Sequence, residues 1–303
     1  MPEQPPPPTR DQRRLIVSAD DFGMSAGVNA AILAAHRNGI LTDASLMVNA
    51  GASAEAVALA HGTPRLAVGL HLVLVHGRSS AASHDIPDLV DRGGMFRNHS
   101  VAAGMRYFFL PRVRAQLETE IRAQLENFLA TGLSLSHVDG HLNIHMHPTV
   151  LAILLRLARP YGIHAIRLPR EPWRLSLRLD RRERRRKLVE AAIFAALSRY
   201  AAPRLAAHGI RHPDQIFGLH QSGHLDERYW LGVLAALPAG VTEIYSHPAH
   251  LDADVRRWRP PSYEAEAELA ALTSDRVREA LAAAGIARAS YRDLARSPGP
   301  PTF

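Results

Sequence analysis

The chain has 303 residues, of which 47% are hydrophobic and 21% are charged, a balance typical of a folded globular protein. It contains no cysteine, so disulfides, thiolate metal ligands and a cysteine nucleophile are excluded. Any metal ion must therefore be held by histidine, carboxylate or water. The formal net charge of +7 allows contact with nucleic acid or an anionic membrane. No zinc-finger, helix-turn-helix or RNA-recognition motif accompanies it, so we expect no nucleic-acid partner.

Composition divides the chain into one domain and two tails. Residues 1–12 are rich in proline and are predicted to be a disordered tail. Residues 13–295 are predicted to form a single domain, and residues 296–303 a flexible C-terminal tail. The N-terminus lacks the order of a signal peptide, and no apolar stretch approaches the ~20 residues that span a bilayer. We therefore expect a cytoplasmic protein, and a homo-oligomer is left open.

Strand-like and helix-like patterns alternate along the chain. The apolar run 14–20 ends in two carboxylates, which is typical of a buried parallel strand. Ser25 is expected to cap a helix that ends at Gly39, and residues 79–105 are predicted to be an extended loop. The predicted strands are 14–20, 42–48, 66–72, 133–139, 165–168, 215–219, 241–246 and 287–291. The predicted helices are 25–39, 53–62, 111–131, 148–155, 180–208, 226–237 and 262–284.

This alternation predicts a single parallel α/β domain, because strands and helices follow one another seven or eight times without a linker. Eight units favour a closed or distorted (β/α) barrel over an open sheet. In such barrels the chemistry lies at the C-terminal ends of the strands. Polar side chains gather at those predicted ends: Asp20, Asp21, His71, Asp139, His141, Arg167, His220 and His247.

The first candidate site residues are the adjacent carboxylates Asp20 and Asp21. Two neighbouring carboxylates at a strand end are costly unless a cation or hydrogen bonds compensate them. One of them can bind a metal ion while the other accepts a proton. The alternative is an aspartate that only caps the next helix.

The strongest local signal is the segment 137–147, which places four histidines in eleven residues beside Asp139. Neutral imidazole is the usual ligand of borderline divalent ions, and Asp139 could orient a ligand histidine. His141 directly follows the predicted strand end, whereas His145 and His147 are expected to line the pocket. The alternative is an incidental cluster. Taken singly, a histidine such as His71 on an apolar strand is more often structural, and His247 is equally consistent with a structural histidine.

These motifs occur together in an order that resembles the YdjC-like carbohydrate deacetylases, and the resemblance runs from Arg14 to Leu294. The motifs are Asp20-Asp21-Phe22-Gly23, Gly69-Leu70-His71, Asp139-Gly140-His141 with His145 and His147-Pro148, and Ser246-His247-Pro248. The resemblance implies a distorted β/α barrel and one divalent metal ion, Mg²⁺ or Zn²⁺. It also implies that Asp21, His71 and His141 are the metal ligands, that Asp20 is the general base and that His247 is the acid. Asp139, His145, His147 and Arg167 are expected around them, where they orient ligands or contact substrate.

Three further segments are similar to the hopanoid biosynthesis-associated branch of that family: 69–78, 94–97 and 106–111. This similarity implies a metal-dependent hydrolase that removes acetyl from an N-acetylglucosamine unit on a bacteriohopanetetrol lipid, with peripheral contact to a membrane. The alternatives are a deacetylase of soluble chito-oligosaccharides or another metal hydrolase. A basic nucleic-acid-binding protein is the alternative from a different class. The basic run 181–187 is typical of a solvated helix face, with contact to a membrane surface as the other interpretation.

Overall fold

A computed structural model gives the fold and describes residues 12–96 and 100–296. Apart from Gln12 and Arg296, the predicted tails 1–12 and 296–303 lie outside these ranges, as does Arg97 of the segment 94–97. The predictions for those residues stay predictions.

The described residues contain a seven-stranded sheet in which every pairing is parallel. The strands pair in the order β4-β3-β2-β1-β6-β5, and β7 pairs with the first half of β1. Helices surround this curled sheet, so the prediction of a single-domain distorted β/α barrel is confirmed. The strands are β1 (Arg13–Phe22), β2 (Asp43–Leu46), β3 (Ala67–Leu72), β4 (Leu135–Gly140), β5 (Gln215–Phe217), β6 (Gly240–Ser246) and β7 (Ala287–Ala289).

Backbone hydrogen bonds also link the two edge strands of the sheet. The amide of Val138 in β4 donates to the carbonyl of Ala165, and the amide of Arg167 donates back to Val138. On the other side, the amide of Ile216 in β5 donates to the carbonyl of Arg170. The segment 164–170 therefore lies between β4 and β5, but it makes only isolated bridges instead of the regular strand predicted at 165–168.

The described helices follow the predicted alternation, with four helices that were not predicted. A helix occupies Ser100–Phe109, where part of an extended loop was predicted. The predicted helix 180–208 is one helix, Arg184–Ala207, and a short helix that was not predicted, Trp173–Leu179, precedes it. Two more short helices that were not predicted, Ala253–Trp258 and Tyr291–Arg296, lie before and after the predicted pair at 262–284. The helices are α1 (Ala26–Asn38), α2 (Ser53–His61), α3 (Ser100–Phe109), α4 (Pro111–Ala130), α5 (Pro148–Tyr161), α6 (Trp173–Leu179), α7 (Arg184–Ala207), α8 (Glu227–Leu234), α9 (Ala253–Trp258), α10 (Ala265–Thr273), α11 (Asp275–Ala283) and α12 (Tyr291–Arg296), with a 3₁₀ segment at His141–Met146.

Local sequence accounts for where these helices begin and which faces they bury. The hydroxyl of Ser25 accepts the amide of Val28 and so caps α1, as predicted. Pro148 occupies the first turn of α5, where its missing N–H leaves no intrahelical bond unmade. The α4 side chains that recur at helical spacing are all buried against the sheet: Leu117, Ile121, Leu125 and Phe128.

The interior of the curled sheet is polar as well as apolar. Tyr291, at the start of α12, is fully buried, and its hydroxyl donates to Glu243 of β6 at 2.6 Å. Its backbone amide donates to Asp43 of β2, and its ring stacks on His137 of β4 with the ring centres 3.9 Å apart. One side chain after the last strand therefore contacts three strands of the sheet.

We predict that Tyr291→Ala lowers the free energy of unfolding by about 3–5 kcal/mol, the usual cost of removing a buried aromatic ring. Tyr291→Phe removes only the hydrogen bond to Glu243 and should cost about 1–2 kcal/mol. Urea unfolding followed by circular dichroism measures both values. The control Tyr161→Phe removes a similar hydroxyl contact, to Glu126, from an exposed position and should change stability by less than about 0.5 kcal/mol. Equal stabilities for Tyr291→Ala and the native protein would contradict the assigned role.

Candidate active site

A cavity of about 560 Å³ lies at the C-terminal ends of the parallel strands. Asp20 and Asp21 reach it from β1, His71 from β3, His141 from the start of the 3₁₀ segment after β4, and His247 from the end of β6. The remaining residues in its lining are His76, Gly140, Leu142, Asn143, Arg186, Glu190, Phe194, Leu219, Ser222, Tyr245, Trp258, Arg259, Pro260 and Tyr263. The fold thus brings five residues that are far apart in sequence into one cavity.

An irregularity in β1 explains how two consecutive aspartates reach the same cavity. Neighbouring side chains of a regular strand point to opposite faces of the sheet. The register of β1 against β2 shifts between Ala19 and Phe22, and Asp21 has a backbone φ of 67°. That left-handed conformation is uncommon outside glycine and is concentrated at functional positions. It turns the Asp21 carboxylate to the cavity beside that of Asp20.

Asp21, His71 and His141 form a compact set of donor atoms. The Asp21 Oδ1 atom lies 3.5 Å from His71 Nε2 and 3.2 Å from His141 Nδ1. All three ligand atoms lie within 4.8 Å of one another, which is close enough for one ion to contact them together. One carboxylate oxygen and two imidazole nitrogens suit a borderline divalent ion.

The orientation of His71 also fits a metal ligand. Its Nδ1 donates to Asp139 at 2.8 Å, which leaves Nε2 directed at Asp21. A carboxylate behind a histidine is the usual arrangement at metal sites, because it fixes the ring and raises its basicity. Burial alone would lower the pKa of His71, but Asp139, Asp20 and Asp21 outweigh it and raise that pKa to about 9.

A second group, formed by Asp20, His71 and Asp139, also has three donor atoms within 4.8 Å of one another. Its carboxylates are already compensated, however, by Arg167. The guanidinium of Arg167 donates two hydrogen bonds of 2.8 Å to Asp20 and lies 2.8 Å from Asp139. The fit to a metal ion is therefore better at Asp21, His71 and His141.

Arg167 is fully buried and does not line the cavity. Besides Asp20 and Asp139, it bonds Glu243 and the hydroxyl of Ser18. The sequence left open whether Arg167 contacts sugar or orients a carboxylate, and its burial and bonds favour the second role. Burial would lower the pKa of Arg167, but the three carboxylates raise it well above its ordinary value, so the side chain remains a cation.

His247 approaches from the opposite wall of the cavity. Its Nε2 lies 3.9 Å from Asp20 Oδ2. Burial lowers the pKa of His247 to about 4, and the nearby Asp20 and Asp21 only partly oppose that shift. The imidazole is therefore neutral in the resting protein at pH 7. Its backbone amide donates to the buried carboxylate of Glu268, and burial raises the pKa of Glu268 to about 7.

Arg259 is a site residue that the sequence analysis did not single out. It is buried, and its Nε and Nη2 donate to Asp21 Oδ2 at 3.2 and 3.0 Å. Its Nη1 donates to the carbonyl of His247 at 2.6 Å. Burial alone would raise the pKa of Asp21. The positive charge of Arg259 has the largest opposing effect, and His141 and His71 lower the pKa further, so the pKa of Asp21 lies well below its ordinary value. Arg259 follows closely on two exposed arginines, 256–257, so nothing in the sequence distinguishes it as a site residue.

The other histidines of the segment 137–147 do not join this group. His137 stacks on Tyr291 inside the barrel. His145 is fully buried and donates from Nε2 to the carbonyl of Arg167. His147 caps α5 by accepting the amide of Thr149, and it lies outside the cavity lining. Among the described residues, the cluster therefore contributes one residue to the cavity and several supports behind it.

Comparison with known proteins identifies the family of this chain. The YdjC-like protein family matches residues 14–283, and the chain belongs to that family. A carbohydrate deacetylase from Geobacillus stearothermophilus is 32% identical over 93% of this chain and 98% of its own length. A chitooligosaccharide deacetylase from Serratia marcescens is 29% identical over 93% of this chain and 100% of its own length.

Two further matches cover different fractions of the matched protein. A carbohydrate deacetylase from Brevibacillus brevis is 45% identical over 163 residues, which are 53% of this chain and 60% of that protein. A crystal structure from Enterococcus faecalis V583, described as a candidate cellobiose-phosphate cleavage protein, superposes with a TM-score of 0.73. It is 26% identical and covers 93% of this chain and 99% of its own.

We predict that uptake of a divalent ion by the metal-free protein releases about one proton at pH 7.5. The pKa of about 9 keeps His71 doubly protonated between Asp139 and Asp21, and a metal ion must displace the Nε2 proton. Above pH 9 the free protein has already lost that proton, so the release should fall towards zero. Calorimetric titration with Zn²⁺ in buffers of different ionisation enthalpy counts the protons. Zero release at pH 7.5 would mean that His71 is neutral or is not a ligand, and His71→Gln serves as the control without the titrating ring.

Proposed function

We propose that this protein is a metal-dependent N-deacetylase that hydrolyses the acetamide of an N-acetylglucosamine unit to acetate and an amine. The observation that carries the proposal is the convergence of Asp21, His71 and His141 at the mouth of a YdjC-like barrel. The full-length relatives are named carbohydrate and chitooligosaccharide deacetylases, in agreement with the predicted hydrolase acting on an amide C–N bond.

Asp21, His71 and His141 would hold the metal ion. When bound, a divalent ion polarises the acetamide carbonyl and lowers the pKa of water beside it. Two imidazole nitrogens and a single carboxylate oxygen favour Zn²⁺ over Mg²⁺, which prefers oxygen ligands. The buried Arg259 holds the second oxygen of Asp21 and so fixes which oxygen faces the two histidines.

Asp20 is proposed as the general base. It lines the cavity beside the donor set, and the two hydrogen bonds from Arg167 and one from Ser45 hold its carboxylate in place. Arg167 orients this buried carboxylate, so that it can accept a proton from the attacking water. A general base of this kind typically supplies ~10²–10⁴-fold of the rate.

His247 is proposed as the group that protonates the departing amine. Because its pKa of about 4 leaves it neutral in the resting protein, it must gain a proton before it can donate one. Its Nε2 lies 3.9 Å from Asp20, which becomes protonated in the first half of the reaction. Increased negative charge near the imidazole as substrate binds and reacts would favour the imidazolium form.

The proposal is tested by incubating the protein and Zn²⁺ or Mg²⁺ with N-acetylated sugars and measuring acetate. We predict that His71→Ala and His141→Ala each lose bound metal and at least ~10²-fold of the turnover, because each substitution removes a side chain that would bind the ion directly. Both variants should keep the native circular dichroism spectrum. The exposed control His84→Ala should retain metal and rate. Full metal content and turnover in either ligand variant would overturn the assignment.

The roles of Asp20 and His247 require a separate comparison. We predict that Asp20→Asn and His247→Ala keep the metal ion but lose about 10²–10⁴-fold of kcat, the usual contribution of an acid or base. Metal content by mass spectrometry and acetate release by a coupled assay measure the two effects. If Asp20→Asn loses the metal with no separate defect in rate, the roles of the two aspartates must be exchanged.

For the sugar acceptor we propose the N-acetylglucosaminyl form of a bacteriohopanetetrol lipid, following the similarity of the segments 69–78 and 106–111 to the hopanoid-associated branch. The exposed aromatic side chains of Phe108 and Phe109 on α3 support contact with an apolar partner. The name of the Serratia marcescens relative favours soluble chito-oligosaccharides as the second candidate. Acetate release from a lipid-linked and a soluble substrate, measured side by side, decides between them.

We also propose that α7 contacts an anionic membrane surface. None of the described helices combines the length and the apolar character that crossing a bilayer requires. Within the basic run 181–187, Lys187 is buried in bonds to Asp180 and Gln221, and Arg186 lines the cavity. Arg184 and Arg185 are exposed at the start of α7. The apolar side chains exposed on the same helix are Leu188, Val189 and Ile193.

We predict that the protein binds vesicles of anionic lipid at low salt and that Arg184→Ser with Arg185→Ser weakens this binding. Each basic residue near such a surface contributes roughly 1 kcal/mol, and salt screens the attraction. Flotation with the vesicles measures the bound fraction. The matched pair Arg276→Ser with Arg278→Ser removes two exposed arginines from α11 and should bind like the native protein. No flotation at low salt would remove the membrane proposal and leave the deacetylase proposal intact.

A further inference from the structure

A second cavity, of about 340 Å³, adjoins the first and shares His76 and Trp258 with it. It is called the methionine cavity here, and its lining is Met24, Met47, Asn49, Ala50, Gly51, Val73, His76, Gly77, Arg78, Met95, Asp254, Arg257 and Trp258. Because two residues belong to both linings, a ligand bound at the carboxylate and histidine cluster can extend into it. None of the roles assigned above uses this space.

The side chains in the methionine cavity divide into an apolar floor and a polar rim. Met24, Met47 and Val73 are buried, and Met95 is half-buried beside them. Arg78, Asp254 and Arg257 are exposed. His76 and Asn49 are further polar side chains of the lining, and the side-chain amide of Asn49 already donates to the carbonyl of Arg78. A ligand that enters the cavity would therefore exchange its contact with water for contact with methionine and valine side chains.

We propose that the methionine cavity binds an apolar group attached to the anomeric oxygen of the N-acetylglucosamine unit. This inference rests on the proposed deacetylase function. The acetamide is carried by C2 of the sugar, and the anomeric substituent is carried by the adjacent carbon. With the acetamide at Asp21, His71 and His141, a substituent on the neighbouring carbon starts within the shared cavity and can continue past Trp258.

The floor of this cavity favours an apolar substituent over a second sugar. Burying a hydroxyl without a hydrogen-bond partner is costly, and three methionines and a valine offer no strong donor or acceptor. Methionine side chains are flexible and polarizable, so they adapt to ring systems and alkyl chains of irregular shape. A volume of about 340 Å³ is within the usual range for a site that holds a small ligand.

The experiment compares methyl and octyl N-acetyl-β-glucosaminide, which carry the same acetamide and differ only in the anomeric substituent. We expect the native protein to have a KM at least tenfold lower for the octyl glycoside. Met47→Gln and Met95→Gln keep the length of the side chain but place an amide in the floor, so each should reduce this preference at least fivefold. Met105→Gln makes the same change on the exposed face of α3, outside both cavities, and should keep the preference.

Equal KM values for the two glycosides, or a preference that survives in both floor variants, would overturn the inference while acetate release still supports the deacetylase. If neither glycoside releases acetate, the proposed function fails first. Calorimetric binding of the two glycosides to the native protein and to Met47→Gln then decides the inference separately. Tighter binding of the octyl form that is lost in Met47→Gln supports the methionine cavity, and equal binding rejects it. Loss of the native circular dichroism spectrum in Met47→Gln would move the decision to Met95→Gln, whose side chain is less buried.

Discussion

The arrangement of the site depends on one guanidinium, that of Arg167, which is buried among three carboxylates. Taking a charge out of water is expensive unless partners of opposite charge and good geometry compensate it. Arg167 meets this condition with bonds to Asp20 and Glu243 and a 2.8 Å approach to Asp139. The guanidinium in turn compensates the negative charge of these buried carboxylates.

This single ion network joins both halves of the candidate chemistry. Through Asp139 it reaches Nδ1 of His71 and so fixes the direction of the other ring nitrogen. The network also includes Asp20, which is the proposed base. His145 holds the backbone of Arg167 by a hydrogen bond to its carbonyl. The segment 164–170 bonds to both β4 and β5 and so holds Arg167 between them. A shift of that segment would move the base and the histidine together.

The strand ends could be predicted from sequence because apolar runs that stop at Asp20, His71 and His247 are typical of parallel strands whose C-terminal ends carry polar residues. The positions of His137 and His147 could not, since a histidine cluster carries no sign of which ring stacks in the core and which caps a helix. Arg259 was missed because an arginine beside other arginines is usually exposed. The helix α3 was missed because residues 79–105 have weak periodicity, and its place depends on packing against α4 and α5.

In the proposed metal site, Arg259 would leave Asp21 with a single free oxygen for the ion. Its bonds occupy Oδ2, so Asp21 presents Oδ1 alone to His71 and His141. Three protein donors leave coordination positions open, whereas structural zinc sites take four protein ligands. The positive charge of Arg259 would also oppose that of a bound ion, which would weaken binding but keep the ion electrophilic. Such a site would bind the ion less tightly but would leave room for substrate or water beside it. Arg259 also donates to the backbone carbonyl of His247, so it contacts the proposed ligand Asp21 and the proposed acid together.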